Sequence, residues 1–119
     1  DRMENVRRTA EISKLFVDCG IVTVCCLVSP KKNMRTLAKE IIGAENFYEI
    51  FIATSLEDCE IRDTKGLYKK ARRGELLNFT GISSPYEEPV GPNLNIPTKE
   101  KNIEESSEIL YNFVLPLIS

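Results

Sequence analysis

The sequence predicts an α/β fold in which helices flank a parallel sheet. Segments with helical apolar spacing alternate with short apolar runs along the chain. The run from Ile21 to Val28 is continuous, without the alternation of a half-exposed strand, which indicates a strand buried on both faces. Glycines follow two of the helical segments, at Gly20 and Gly43, where helix ends are expected. A parallel sheet usually has more strands than this chain offers, so we expect further strands before Asp1.

The first half of the chain predicts two helices and two strands. Apolar residues three and four apart predict an amphipathic helix over residues 1–19. The strand from Ile21 to Val28 follows and is stopped by Ser29-Pro30. A second helix is predicted over Asn33 to Ile42, and a second strand over Phe47 to Ala53.

The next segment predicts two short helices and a loop. Thr54-Ser55 are predicted to cap a helix that runs to about Asp63, and Glu57, three residues after Thr54, has the spacing of a capping box. A short basic helix is predicted over Lys65 to Gly74. Residues 75–92 are rich in Gly, Pro and Ser, which is typical of a long loop.

The C-terminal segment completes the pattern. Leu94 to Ile96 is a candidate third strand. Asn102 and Glu105 have capping-box spacing at the start of a last helix. The carboxyl ends of parallel strands are where ligands bind in such sheets, so residues after Val28 and Ala53 are candidate site residues.

Composition excludes several classes of function. The formal net charge of −2 gives no basic field for nucleic acid, and the absence of histidine removes the commonest metal ligand. The four cysteines form no C-x-x-C pair, so we predict no metal site, only buried free thiols in a reducing compartment. No run approaches the ~20 apolar residues of a membrane span, and no signal peptide opens the chain, so we expect a cytoplasmic protein. Asp1 begins inside an apparent helix, which we interpret as a boundary and not a natural start.

The densest candidate site is the basic block from Arg62 to Gly74. Six cations stand there against one acid. Arginine and lysine bind phosphate or sulfate, and a flexible loop follows, so the block can form a lid over an anionic ligand. The alternative is a solvated basic helix face.

Three further groups each allow two interpretations. Phe79 lies in a polar loop and can stack on a base, or it can anchor the loop in the core. Ser29 at a strand end can meet a phosphate, or it can simply stop the strand. Arg2 and Asn5 share a helix face and can bind an anion together, or they can be ordinary surface residues.

Together these segments resemble the adenylylsulfate kinase family, from the first residue to about Val114. The most specific segments are Lys65–Arg72 (KGLYKKAR) and Phe79–Ile82 (FTGI). The other matching segments, similar in order and spacing, are Asp1–Arg8, Leu27–Pro30, Arg62–Asp63 and Pro85–Glu87.

The resemblance implies a P-loop kinase-like parallel sheet flanked by helices, which is incomplete because N-terminal strands are absent from this chain. Residues 1–119 would be a partial domain with a lid segment at about 62–92. The implied reaction transfers the γ-phosphoryl group of ATP, with Mg²⁺, to the 3′-hydroxyl of adenylylsulfate. The product, 3′-phosphoadenylylsulfate, belongs to sulfate activation and assimilation.

The resemblance also implies roles for individual residues. Ser29 matches the serine phosphorylated in some members, and Lys65 matches a lid residue over the substrate; these two are the candidate catalytic residues. Phe79 matches the aromatic that stacks on the adenine of adenylylsulfate. The full set of implied adenylylsulfate contacts is Arg2, Asn5, Val28, Ser29, Lys65, Gly66, Leu67, Asn78 and Phe79. The implied ATP contacts are Arg62, Lys101 and Ser106.

The sequence departs from the family pattern in two places. No G-x-x-x-x-G-K-[ST] phosphate loop occurs, so ATP phosphates and Mg²⁺ would be bound mainly by a segment before Asp1, and the 119 residues alone are expected to be inactive. Lys31 and Met34 replace an aromatic and an acid after the Ser-Pro pair.

The departures leave two other functions open. One is a non-catalytic, regulatory nucleotide-binding domain of a sulfurylase-type protein; the other is a kinase for a different small nucleotide or sugar. The family also implies a homodimer, and fusion to or association with ATP sulfurylase.

Overall fold

The computed structural model describes all 119 residues, which divide into two compact units. The first unit comprises Asp1–Glu49 and Glu87–Gly91, and the second comprises Ile50–Tyr86 and Pro92–Ser119. None of the helices combines the length and the apolar composition that crossing a bilayer requires.

The first unit is built on the two helices that the sequence predicted, and these helices pack against each other. Helix α1 (Arg2–Asp18) begins at Asp1, whose carboxylate accepts a hydrogen bond of 2.9 Å from the backbone N–H of Met3. Helix α2 (Lys32–Ile42) packs against α1 and ends at Gly43, whose φ of 100° favours glycine. The buried apolar side chains of the pair are Val6, Ala10 and Met34.

The predicted strand from Ile21 to Val28 is wrong for this structure. The segment joins no sheet, and Val24 and Val28 are 66% and 54% exposed. A strand needs a neighbour to pair its backbone N–H and C=O groups. The sheet of this chain has two strands, and this segment is part of neither.

The cysteines are free, but the prediction that they are buried is also wrong. Cys19, Cys25 and Cys26 are exposed and Cys59 is half-buried. Cys25 and Cys26 lie in the segment from Ile21 to Val28, which is not part of a sheet. Their side chains are therefore not covered as they would be in a strand buried on both faces. Cys25 Sγ lies 3.1 Å from the hydroxyl oxygen of Ser13.

The second unit contains the parallel sheet that the sequence predicted. Strands β1 (Ile50–Ala53) and β2 (Leu94–Pro97) are parallel, with Ile50 opposite Leu94. The sheet has two strands where three were expected, and β1 is shorter than predicted. Ile96, at 1% exposure, is the most deeply buried large side chain of the unit.

Two short helices follow β1. Helix α3 (Leu56–Arg62) begins at Ser55, whose hydroxyl accepts from the backbone N–H of Asp58 at 3.1 Å. Of the two predicted capping residues, Ser55 is confirmed, whereas the capping box at Thr54 is wrong, because the Thr54 hydroxyl bonds to Thr98 instead. Helix α4 (Leu67–Arg72) lies within the predicted basic helix.

Helix α5 (Ile103–Val114) has the predicted capping box. The Asn102 side chain accepts from the backbone N–H of Glu105 at 2.8 Å, and the Glu105 carboxylate accepts from the backbone N–H of Asn102 at 3.0 Å. The two bonds satisfy backbone donors that a helix start otherwise leaves unpaired. A short 3₁₀ turn at Leu115–Leu117 follows α5.

Replacement of Asn102 by alanine is expected to lower the free energy of unfolding by about 1 kcal/mol, because an N-cap acceptor is lost. Urea denaturation followed by circular dichroism measures the change. Asn112→Ala, at an exposed position of the same helix, is the control and should change stability by less than about 0.5 kcal/mol. Equal effects of the two substitutions would contradict a stabilising capping box.

Candidate functional site

The carboxyl edge of the sheet carries a hydroxyl network. The hydroxyls of Thr54 and Thr98, one after each strand, hydrogen-bond to each other. The guanidinium of Arg62 donates to the Thr98 hydroxyl at 3.2 Å and to the Thr98 carbonyl at 3.0 Å. Thr98 is buried, so its carbonyl and hydroxyl are fixed acceptors that hold Arg62 at the edge where ligands of parallel sheets bind.

The same carbonyl receives a second predicted site residue. The backbone N–H of Lys101 donates to the Thr98 carbonyl at 3.1 Å. Ser106 lies in the first turns of α5 and donates its backbone N–H to Asn102 at 3.2 Å. The structure therefore brings Arg62 and Lys101 together around Thr98, with Ser106 a few residues further along the chain.

The basic block is organised by Asp63. The Asp63 carboxylate accepts from the backbone N–H groups of Tyr68 and Lys69, at 2.9 and 3.2 Å, and so caps α4. Gly66 has a φ of 68°, a left-handed conformation that glycine adopts without strain. Lys65 precedes this turn, is exposed and makes no ion pair, so its ammonium group is available to an anion; Leu67, the first residue of α4, is half-buried.

Phe79 opens a tight turn. Its carbonyl accepts from the backbone N–H groups of Ser83 and Ser84 at 2.9 and 3.0 Å, and its own N–H donates to the Ser83 hydroxyl at 2.7 Å. Asn78, just before it, has a φ of 53°. Gly81 has a φ of 90°, which favours glycine, and a Cβ there would lie 3.1 Å from the side chain of Leu56 in α3, which would have to move slightly.

An aromatic contact joins the two predicted lid segments. The rings of Tyr68 and Phe79 meet edge to face, with centroids 5.0 Å apart and an interplanar angle of 83°. Such pairs stabilise by about 0.5–1.5 kcal/mol beyond the area that they bury. Tyr68 directly follows the predicted site residues Lys65, Gly66 and Leu67, so this contact links their segment to the turn of Phe79. Sequence reasoning gave Tyr68 no role, although its position inside the KGLYKKAR segment was a signal.

Tyr68 also lines an open cleft of about 300 Å³ with charged neighbours of both signs. Burial raises the pKa of Tyr68 to about 12, and a hydrogen bond with Cys59 and the charges of Cys59, Asp63 and Glu60 act in the same direction. The phenol therefore stays neutral across the physiological range. The cleft is lined by Glu60, Asp63, Tyr68, Lys69, Arg72 and Arg73.

The raised pKa of Tyr68 predicts a loss of stability at high pH. The unfolded chain releases this proton near the ordinary pKa of ~10, whereas the folded chain holds it to about 12. The contribution of the Tyr68 proton to the free energy of unfolding is therefore complete below pH ~10 and is lost as the pH rises towards about 12. Tyr68→Phe should flatten the fall in unfolding free energy over this window, measured by urea titration, whereas Tyr111→Phe, at an exposed site, should not. Identical pH profiles for both variants would contradict the shift.

The remaining predicted site residues lie in the first unit. Arg2 and Asn5 are exposed in the first turns of α1, and Arg2 makes no ion pair, while its neighbour Glu4 pairs with Arg7 and lies 3.5 Å from Arg8. Arg7 lowers the pKa of the Glu4 carboxyl, mainly through its hydrogen bond.

Val28 and Ser29 end the extended segment before α2. Ser29 is half-buried, and its carbonyl accepts from the guanidinium of Arg35. The sequence analysis did not identify Arg35 and its hydrogen-bond partner Glu87 as candidate site residues. Glu87 belongs to the matched Pro85–Glu87 segment, which is the only signal that could have indicated it.

No group of three or more cysteine, aspartate or glutamate side chains is arranged to hold a metal ion. The acidic side chains near the sheet edge are already engaged, because Asp63 caps α4 and Glu60 pairs with Arg72 at 2.5 Å. These side chains therefore do not form a Mg²⁺ site.

Comparison with known proteins gives consistent results. A sequence model of the family described as Adenylylsulphate kinase matches residues 1–97. The adenylyl-sulfate kinase of Phocaeicola vulgatus is 53% identical over 118 residues, and that of Bacteroides fragilis is 52% identical over 119 residues. The match covers 99% and 100% of this chain but 58% and 59% of those relatives, so the chain spans about three fifths of their length.

Solved structures agree with the sequence matches. The Mycobacterium tuberculosis APS kinase CysC, in complex with AMPPNP and APS, superposes with a TM-score of 0.88 and 40% identity, over 96% of this chain and 66% of that one. A crystal structure described as APE1195 gives a TM-score of 0.87 and 41% identity, over 100% of this chain and 68% of that one.

Proposed function

The chain belongs to the adenylylsulfate kinase family and has its P-loop kinase fold, and from this we propose that the whole protein transfers the γ-phosphoryl group of ATP to the 3′-hydroxyl of adenylylsulfate. The product would be 3′-phosphoadenylylsulfate, the activated form in sulfate assimilation. The four unpaired cysteines suit a reducing compartment, and we place the protein in the cytoplasm.

One observation supports this proposal above the others. A solved kinase that is 40% identical and superposes over 96% of this chain holds AMPPNP and APS, an ATP analogue and adenylylsulfate. This similarity supports the proposal that the whole protein binds the same two classes of ligand.

The residues of the second unit have chemistry that suits this reaction. Phosphoryl transfer depends on placement and on neutralisation of charge more than on covalent help. We propose that the exposed ammonium group of Lys65 neutralises negative charge on the substrate and that the ring of Phe79 stacks on the adenine of adenylylsulfate, with Gly66, Leu67 and Asn78 shaping the turns around them. Arg62, Lys101 and Ser106 would lie near the adenine of ATP.

The residues of the first unit would contact adenylylsulfate. Arg2 and Asn5 are exposed on one face of α1, where a guanidinium and an amide can bind an anion together. Val28 and Ser29 would lie beside the nucleotide, and the Ser29 hydroxyl is the candidate phosphorylated position. No phosphate loop occurs in these residues, so we propose that the ATP phosphates and Mg²⁺ are bound by other parts of the whole protein.

The proposal is tested with the whole protein, ATP, Mg²⁺ and adenylylsulfate, by following ADP release and the appearance of 3′-phosphoadenylylsulfate. Turnover that requires adenylylsulfate is expected. Nucleotide binding without turnover would favour the regulatory, sulfurylase-type domain. Faster turnover of another nucleotide or a sugar would favour a different substrate, which the Lys31 and Met34 departures leave open.

A further inference from the structure

Glu87 makes three hydrogen bonds, one to the turn that leads into α2 and two to residues of α2 itself. Its backbone N–H donates to the carbonyl of Pro30 at 2.6 Å. Its backbone carbonyl accepts from the Arg35 guanidinium at 2.6 Å, and its carboxylate accepts from the backbone N–H of Lys32 at 2.7 Å. We call Pro30, Lys32, Arg35 and Glu87 the Glu87 clasp.

The carboxylate of Glu87 replaces a missing cap. The residue at the N-cap position of α2 is Lys31, which makes no side-chain capping bond. The first N–H groups of a helix lack partners within the helix, and a carboxylate there also interacts favourably with the helix dipole. A residue 55 positions further along the chain therefore supplies the acceptor that the local sequence lacks.

Arg35 extends the clasp to Ser29. Its guanidinium donates to the carbonyl of Ser29 as well as to that of Glu87, and its Nε lies 3.3 Å from the Glu49 carboxylate. The Arg35 side chain is 9% exposed and that of Glu49 is 23% exposed. A buried guanidinium with three acceptors holds a fixed position, so the Ser29 carbonyl is fixed with it.

We propose that Glu87 and Arg35 are positioning residues for adenylylsulfate, which fix the Ser29-Pro30 turn without touching the substrate. The proposal rests on the proposed function, in which Val28 and Ser29 lie beside the nucleotide. Loss of the clasp loosens that turn, so adenylylsulfate binds more weakly while the ATP side is unaffected.

The test uses Glu87→Ala, Glu87→Gln and the control Glu88→Ala in the whole protein. Alanine removes the acceptor, whereas glutamine keeps a neutral one; Glu88 is the exposed neighbour. Calorimetry measures the affinity for adenylylsulfate and for AMPPNP without need of turnover, and amide hydrogen exchange monitors Lys32. For Glu87→Ala we expect about a fivefold loss of adenylylsulfate affinity. This factor is what the typical energetic cost of losing a helix cap corresponds to if the whole cost appears in binding.

Selectivity distinguishes positioning from a general loss of structure. AMPPNP affinity should change less than about twofold in every variant, Lys32 exchange should accelerate in Glu87→Ala only, and Glu87→Gln should restore most of the affinity. Unchanged Lys32 exchange, an equal loss of both affinities, or unchanged adenylylsulfate affinity would each overturn the proposal. Tight binding of adenylylsulfate without turnover would contradict the proposed function and leave the clasp supported.

Discussion

Replacement of Phe79 by alanine is expected to raise the KM for adenylylsulfate by roughly 5- to 150-fold, because a base stacked on an aromatic ring gains ~1–3 kcal/mol. The KM for ATP should change by less than about threefold, because the lost contact is made by the other nucleotide. Steady-state assays of the whole protein, with each substrate varied in turn, measure both constants.

Two further variants separate stacking from packing. Phe79→Trp keeps an aromatic face and should recover most of the affinity, although the edge contact with Tyr68 must adjust. Leu77→Ala, at an 88% exposed position in the same loop, should behave like the wild type. A KM for adenylylsulfate that stays unchanged in Phe79→Ala would refute the stacking role.

Replacement of Lys65 by methionine is expected to lower kcat/KM for adenylylsulfate by about 10- to 150-fold, since a charge-assisted contact contributes ~1.5–3 kcal/mol. Methionine retains the apolar stem and removes the charge. The effect should shrink as ionic strength rises, because salt screens the interaction of an exposed ammonium group with an anion.

Lys70→Met is the matched control, because it removes one charge from the neighbouring helix α4 at an exposed position. Its kcat/KM should stay within about threefold of the wild type if Lys65 acts at a defined contact. Equal losses in both variants would mean that the total charge of the basic block matters, and not the position of Lys65.

Local signals in the sequence predicted the helices and the parallel pairing well. The Asn102 capping box, the glycine ends of α2 and the basic helix depend on neighbours within a few residues, so periodicity and cap chemistry suffice to find them. Ile21 to Val28 failed for the opposite reason. Its apolar side chains are those of a strand buried on both faces. A strand also needs a neighbouring strand for its backbone hydrogen bonds, and the sequence of the segment alone does not show whether one is present.

The unpredicted parts of the candidate site depend on contacts between distant positions. Thr54 has the spacing of a cap, yet its hydroxyl bonds to Thr98, which is 44 residues away. The Glu87 carboxylate caps α2 although it lies 55 residues further along the chain. Nothing at the N-cap residue Lys31 indicates that a distant residue would supply this acceptor. Tertiary packing overrides local propensity in such cases, and no spacing rule within a helix or loop reports it.

The hydrogen-bonded pair Thr54 and Thr98 also restricts where residues can be inserted or deleted near β2. Thr98 donates its N–H to Ala53 at 3.1 Å and holds Arg62, so its place opposite the end of β1 cannot shift by one residue without losing both. A slip would also turn Ile96 out of the core. Insertions and deletions before Leu94 are therefore tolerated only where the surface loop absorbs them completely, and frame-preserving indels within Leu94–Thr98 should be absent from functional variant libraries.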